Sequence, residues 1–232
     1  MALDLKLLEH LAAFDTPTIC NALEVAVPQR RGHGYSTKPF VCAFPSMKPI
    51  VGYARTSTIR AREPSTKVGA EAKALRQGYY EYVAATDRPT ITVLQDLDPE
   101  PGYGAFWGEV NTAVHKGLGV LGCITSGSIR DLDAIASDFQ LLAGCVGPSH
   151  AHVHVEQIHV DVVVHGMAVR HDDLIHADRH GAVVIPPEAL ERLPAAIDLC
   201  IRKEAPILAM ARASGFTVEK IKAAWAEAED IH

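Results

Sequence analysis

Residues 107–133 read as a helix, a short glycine turn, a buried strand, and a Gly-Ser loop that delivers Arg130-Asp131. Helical spacing that gives way to a short continuous apolar run, Val120 to Thr125, is the pattern of a strand covered on both faces. The same exchange recurs along the chain, which favours an α/β class over all-α or all-β. Ile50 to Ile59 alternates as a strand, with Gly52 and Ala54 leaving room for close packing. Lys67 to Ala85 is rich in Ala, Glu, Lys and Leu and reads as a helix ending before Asp87-Arg88-Pro89. Thr90 to Leu94 is a buried β-branched strand, and Asp96 to Gly104 is turn-rich. A helix from about Trp107 to Lys116 leads into strand Val120 to Thr125.

The flanks are simpler. Residues 3–14 place Leu5, Leu8, Leu11 and Ala12 on one helical face, and Thr16-Pro17 opens a helix through Ile19, Leu23 and Glu24. Segment 28–49 is a loop or broken edge structure. Stretches 152–170 and 173–186 are short strands joined by turns, one of them Asp178-Arg179-His180-Gly181. Pro187 starts a helix to about Glu204, and Val218 to Glu229 is a last amphipathic helix. With no linker, repeat or low-complexity run, one domain over residues 1–232 is expected, with N-terminal helices and a helical tail from about 187.

Charge narrows the function classes. Twenty-eight acids against 22 bases give a net charge of -6, and the closest candidate for a basic patch, Gln29-Arg30-Arg31-Gly32-His33, is short and diluted by neutral residues, so direct nucleic-acid binding is not expected. Five cysteines are scattered without a CxxC pair, indicating neither a disulfide framework nor a zinc site. The N-terminus lacks a basic region followed by an apolar core, and no apolar run is long enough for a bilayer. A soluble cytoplasmic protein is the expectation.

Chemistry concentrates at Gly108-Glu109 and Arg130-Asp131. Gly108-Glu109 opens a helix, where free N–H groups and the helix dipole favour an anion. Arg130-Asp131 follows a strand's carboxyl end, where α/β sheets place ligands. By spacing alone, the Arg-Asp pair could equally be a surface ion pair or a capping aspartate. Glu109, twenty intervening residues and Arg130-Asp131 resemble the acidic-X20-Arg-Asp signature of the RraA-like family. Gly119-Val120-Leu121-Gly122, Gly127-Ser128-Ile129, Val169 to Asp178, Gly181 to Pro186 and Cys20-Asn21-Ala22-Leu23 are similar to further family elements. The resemblance spans about residues 15 to 190. That family includes the 4-hydroxy-4-methyl-2-oxoglutarate / 4-carboxy-4-hydroxy-2-oxoadipate aldolases and the protein regulators of ribonuclease E. Two departures stand out: Glu109 replaces the Asp common in the aldolases, and Asn21 stands where the family usually has Asp.

The resemblance implies a β/β/α sandwich, assembled as a homotrimer or hexamer with an acid from a neighbouring chain completing the site. It implies Asp131 as a ligand to Mg²⁺ or Mn²⁺, with Glu109 acting through water of the metal's shell. Backbone N–H groups of Gly108, Glu109 and Val110 would cradle the carboxylate of a 2-keto acid, and Arg130 would stabilise a pyruvate enolate. Retro-aldol cleavage with oxaloacetate decarboxylation as a side activity is the expected function. The alternative is a non-catalytic regulator binding a ribonuclease or helicase. A methyltransferase is disfavoured, because no Gly-rich nucleotide loop follows the first strand.

Other features have plainer readings. His150, His152, His154 and Glu156 would share one face of a strand, favouring a polar interface or cleft rim over a transition-metal site. Trp107 and Phe106 either line a substrate pocket or anchor a helix. Cys123 belongs in the core.

Overall fold

The computed structural model describes residues 5–232, so positions 3 and 4 of the expected first helix lie outside the described residues. It divides into two compact units. One comprises the described residues up to Thr16 together with His33–Pro186, and the other Pro17–Gly32 with Pro187–His232. In chain order the helices are α1 (Leu5–Leu11), α2 (Thr16–Ala26), α3 (Gly69–Ala84), α4 (Glu109–Gly117), α5 (Leu193–Arg212) and α6 (Val218–Glu229). The first strands are β1 (Val41–Cys42), β2 (Ile50–Arg60), β3 (Thr90–Asp96), β4 (Ala105–Trp107), β5 (Val120–Thr125), β6 (Ser128–Ile129) and β7 (Gln140–Ala143). The remainder are β8 (Cys145–Val146), β9 (His154–Ile158), β10 (Val162–Val164), β11 (Met167–Val169), β12 (Leu174–Asp178) and β13 (Gly181–Ile185).

The main sheet of the first unit runs β1-β7-β5-β3-β2-β12-β13, with β9 paired to the far end of β2. Strands β7, β5, β3 and β2 are mutually parallel, and β1, β12, β13 and β9 pair antiparallel. Successive side chains point to opposite faces. Ile91, Val93, Ile124, Leu142 and Ile175 therefore pack under the β10–β11 hairpin, with Val162, Val164, Met167 and Val169. Leu94, Cys123 and Leu141 face the other way, against Tyr79 and Val83 of α3 and against Trp107, Ile129 and Phe139. Hairpin, sheet and helices make three layers, the β/β/α arrangement. The central strands are buried along nearly their whole length because both faces are covered, including the polar Thr56, Ser57 and Thr58 of β2 and Thr92 of β3. At Gly52 a Cβ would sit 3.1 Å from the Pro89 carbonyl oxygen, so the β2–β3 approach needs glycine there.

Several expected boundaries moved. Helix α3 begins at Gly69, two residues late. The helix expected from Trp107 begins at Glu109, because Trp107 belongs to β4. That strand joins β6 and β8 in a separate three-stranded sheet, β4-β6-β8, whose strands are too short to show a period of two. The helix expected from Pro187 is a single 3₁₀ turn, Pro187–Ala189; α5 opens at Leu193, with Pro194 in its first turn, and continues through Pro206. Leu8 and Leu11 are buried as expected, whereas Leu5 is exposed. The Asp178–Gly181 turn closes the β12–β13 hairpin, and Asp178 Oδ2 accepts the Thr16 N–H at 3.0 Å.

In the second unit α5 packs with α6, whose start is capped by Thr217 Oγ1 accepting the Lys220 N–H at 3.3 Å. Among the described residues no disulfide joins the cysteines, and no helix is long and apolar enough to cross a membrane.

Candidate active site

The small β4-β6-β8 sheet brings the two halves of the signature together. Strand β4 ends at Trp107 and β6 at Ile129, and the two run parallel. Gly108 and Arg130 thus leave adjacent strands side by side, and the Arg130 N–H donates to the Trp107 carbonyl at 2.9 Å. Gly108 is the N-cap of α4, in extended conformation. Asp131 takes a left-handed φ of +56°, which short aspartate tolerates better than most residues. Its carboxylate returns over the start of α4, where Oδ2 accepts the Glu109 N–H at 3.3 Å. Arg130 Nε lies 3.5 Å from the same oxygen. Asp131 Oδ1 has no hydrogen-bond partner among the described residues.

Gly108 leaves room for this approach: a Cβ there would meet Asp131 Oδ2 at 2.5 Å and push the carboxylate aside. The side chains of Arg130 and Asp131 are about a third exposed, at 35% and 38%. Glu109 and Val110 are exposed outright, Val110 at 73%. All five expected residues therefore lie at one helix start. The Glu109 N–H is already turned to Asp131.

Helix α4 is fixed from behind. Thr112 Oγ1 donates to the Gly108 carbonyl at 2.8 Å and accepts the Ala136 N–H at 3.1 Å. His115 is fully buried, and its Nδ1–H donates to the Asn111 carbonyl at 2.6 Å while Nε2 accepts the Tyr79 hydroxyl at 2.8 Å. Burial drives its pKa down to about 4, against a smaller upward pull from the Asn111 carbonyl, so the ring is neutral. Trp107 is wholly buried, with ring centroids 4.5 Å from His115 and 5.6 Å from Phe139. It anchors the ledge from within the core. Phe106 is half-buried at a cavity between α3 and α4.

The histidine run departs from expectation. Only His154 and Glu156 lie on β9; residues before it turn, with Ala151 at φ +45°, so the four side chains do not share a strand face. His150 Nδ1 instead contacts the Ala151 carbonyl at 2.7 Å. Among the described residues, no three His, Cys, Asp or Glu side chains converge to hold a metal ion. Cys123 is buried, and burial pushes its thiol well up, as a core residue requires.

Sequence reasoning missed the supports: His115 with Tyr79, and Lys67 bonded to Glu156 at 2.7 Å. These pairs are far apart in the chain and follow no period. The one available signal was a histidine inside an amphipathic helix.

Residues 16–184 match the family model described as RraA-like: Aldolase/RraA. No curated protein matches the chain significantly. Among solved structures, an uncharacterized protein from Pseudomonas syringae pv. tomato str. DC3000 is similar with a TM-score of 0.69 and 21% identity, over 96% of this chain and 95% of that one. One described under novel cellulases from microbes associated with the gut ecosystem gives 0.71 and 18%, over 88% of each chain. RraAS2 of Streptomyces coelicolor, described as an unusual member of the RNase ES inhibitor RraA protein family, gives 0.67 and 20%, over 91% and 100%. At these identities the likeness is one of fold.

Proposed function

This chain belongs to the RraA-like family, and we propose that it is a divalent-metal-dependent lyase releasing pyruvate from a 2-keto acid of the 4-hydroxy-4-methyl-2-oxoglutarate type. Oxaloacetate decarboxylation, which passes through the same enolate, is its side activity. The observation that carries the proposal is the convergence of Arg130 and Asp131 on the N-terminus of α4, with Asp131 Oδ1 left without a partner.

The donor set suits Mg²⁺ or Mn²⁺. Asp131 and Glu109 offer hard carboxylate oxygens, and ions that keep several waters need only one or two such groups. Asp131 would hold the ion, Glu109 would act through water of its shell, and the ion when bound supplies Lewis acidity. The exposure of the site and its short ligand set support completion by an acid of a neighbouring copy, in a homotrimer or hexamer.

The chain's own residues do the rest. The N–H groups at Gly108 and Val110, at the positive end of the α4 dipole, bind the substrate carboxylate, and that of Glu109 joins them when Asp131 Oδ2 turns from it to the ion. The Arg130 guanidinium stabilises the charge that gathers on the enolate oxygen as the C3–C4 bond breaks. Glu109 receives the C4 hydroxyl proton through a water. A pyruvate-coupled assay with such 2-keto acids, with Mg²⁺ or Mn²⁺ and with chelator, tests this. A flat trace with metal present sinks it, and tight capture of a ribonuclease or helicase without turnover establishes the regulator instead.

A further inference from the structure

A second concavity lies in the first unit, between α3, β4, α4 and β9, with a volume of about 320 Å³. That is within the range of small-molecule sites. Its lining includes the apolar Leu75, Phe106, Val153 and the ring of Tyr79. It also includes Lys67, Arg76 and His154, and no lining residue is acidic.

The charges are arranged with some economy. Glu156 stands behind the wall and serves two groups at once, accepting from Lys67 Nζ at 2.7 Å on one oxygen and facing His154 Nε2 at 2.9 Å on the other. The hydrogen bond from Lys67 is the first reason its carboxyl sits below the ordinary range. The other ring nitrogen of His154 faces the His152 carbonyl at 2.7 Å. Lys67 and Arg76 are two cations against the one carboxylate of Glu156. Arg76, exposed on α3, has no ion pair among the described residues. The cavity wall therefore carries more positive charge than Glu156 balances.

We propose that this cavity binds a small amphipathic organic anion, with a planar apolar body against Tyr79, Phe106 and Leu75 and a carboxylate toward Arg76 and Lys67. An inorganic anion would leave the aromatic wall wet, and a neutral ring would leave Arg76 unanswered. The proposal does not depend on lyase activity, because none of these residues belongs to the Arg130–Asp131 site.

Calorimetric titration of the full chain with 2-naphthoate, and with uncharged 2-naphthamide as its near-isostere, tests it. The expected result is saturable naphthoate binding, with the amide weaker by about tenfold or more. Arg76→Gln, at an exposed position, should cost naphthoate a similar factor and leave the amide unchanged. Asp131→Ala should leave naphthoate binding intact, which separates failure here from failure of the lyase assignment. No binding at millimolar naphthoate, equal binding of acid and amide, or loss of binding in Asp131→Ala would each overturn the proposal.

Discussion

Asp131 and Asp172 both present their carboxylates from left-handed backbone, at φ +56° and +64°, and both face arginine. At Asp172 the two oxygens are taken separately, Oδ1 by Arg55 and Oδ2 by Arg88, and His171 Nε2 lies 3.6 Å from Oδ1. Arg88 in turn lies over the Tyr53 ring, 4.1 Å from its centroid. At Asp131 one arginine and one backbone N–H share a single oxygen, and the other is open. The two carboxylates are almost equally exposed, at 37% and 38%. Exposure therefore does not distinguish a closed pair from an available one; the count of unsatisfied acceptor positions does. Asp172 neutralises a buried guanidinium, that of Arg55 at 4% exposure. Asp131 is held in place with coordination capacity to spare.

The largest contrast is expected from removing each carboxylate. Asp131→Asn, which tolerates the left-handed backbone and can still accept the Glu109 N–H, should lower kcat/KM for the 2-keto acid by about a thousandfold, with little change in the urea midpoint. An equal loss of stability would put Asp131 in the scaffold with Asp172.

Next comes pH, through His115. Its folded pKa of about 4 lies below the ordinary 6.5, so the unfolded chain takes up the proton first as pH falls. The stability this neutral histidine preserves is whole above about 6.5 and drains between there and about 4, by about 3 kcal/mol across the window. Urea midpoints between pH 7 and 5 should show the slope, and His115→Asn should make it shallower, leaving the part due to other histidines such as His176, whose pKa burial also lowers.

Glu109→Gln should cost about a hundredfold in kcat with little change in folding, while Glu109→Asp restores most of it. Single-turnover rates on the same substrate check both. If Gln is as active as Glu, proton transfer does not pass through this position.

Asp172→Asn should remove about 2 kcal/mol of stability, at the low end for a broken pair because the carboxylate and Arg88 are each about a third exposed. Activity per folded molecule should not change. Burial pushes the Asp172 carboxyl up, but hydrogen bonds from Arg88 and Arg55 and their charge outweigh it and hold it below the ordinary range. Its contribution is thus present above that range and lost as pH falls through the lowered value. A urea midpoint for the variant that matches the parent at pH 7 would refute this account.

Much of the site was legible because its information is local. Gly108 and Glu109 announce a helix start by residue type, and Arg130-Asp131 follows a strand whose apolar run is unbroken. The strands Val120–Thr125 and Thr90–Leu94 were readable for the same reason, since burial on both faces selects β-branched and apolar residues, with the small Thr92 the one polar residue inside the second. The segments that escaped, β4, β6 and β8, have two or three residues each, below the length at which periodicity carries a signal. The histidines before β9 misled because alternation in sequence projects one face only if the backbone stays extended, and Ala151 breaks it.

By itself, the sequence determined the α/β class, the central strands, the amphipathic helices and the two ends of the signature, all properties of residue type and spacing. Tertiary structure alone decided that β4 and β6 lie side by side, so that Asp131 folds back over Gly108 with one oxygen free. It also decided that Trp107 is core, and that Lys67, Glu156 and His154 form one charged wall. These are contacts between segments far apart in the chain. They are set by packing and by satisfaction of buried polar groups, neither of which a linear pattern records.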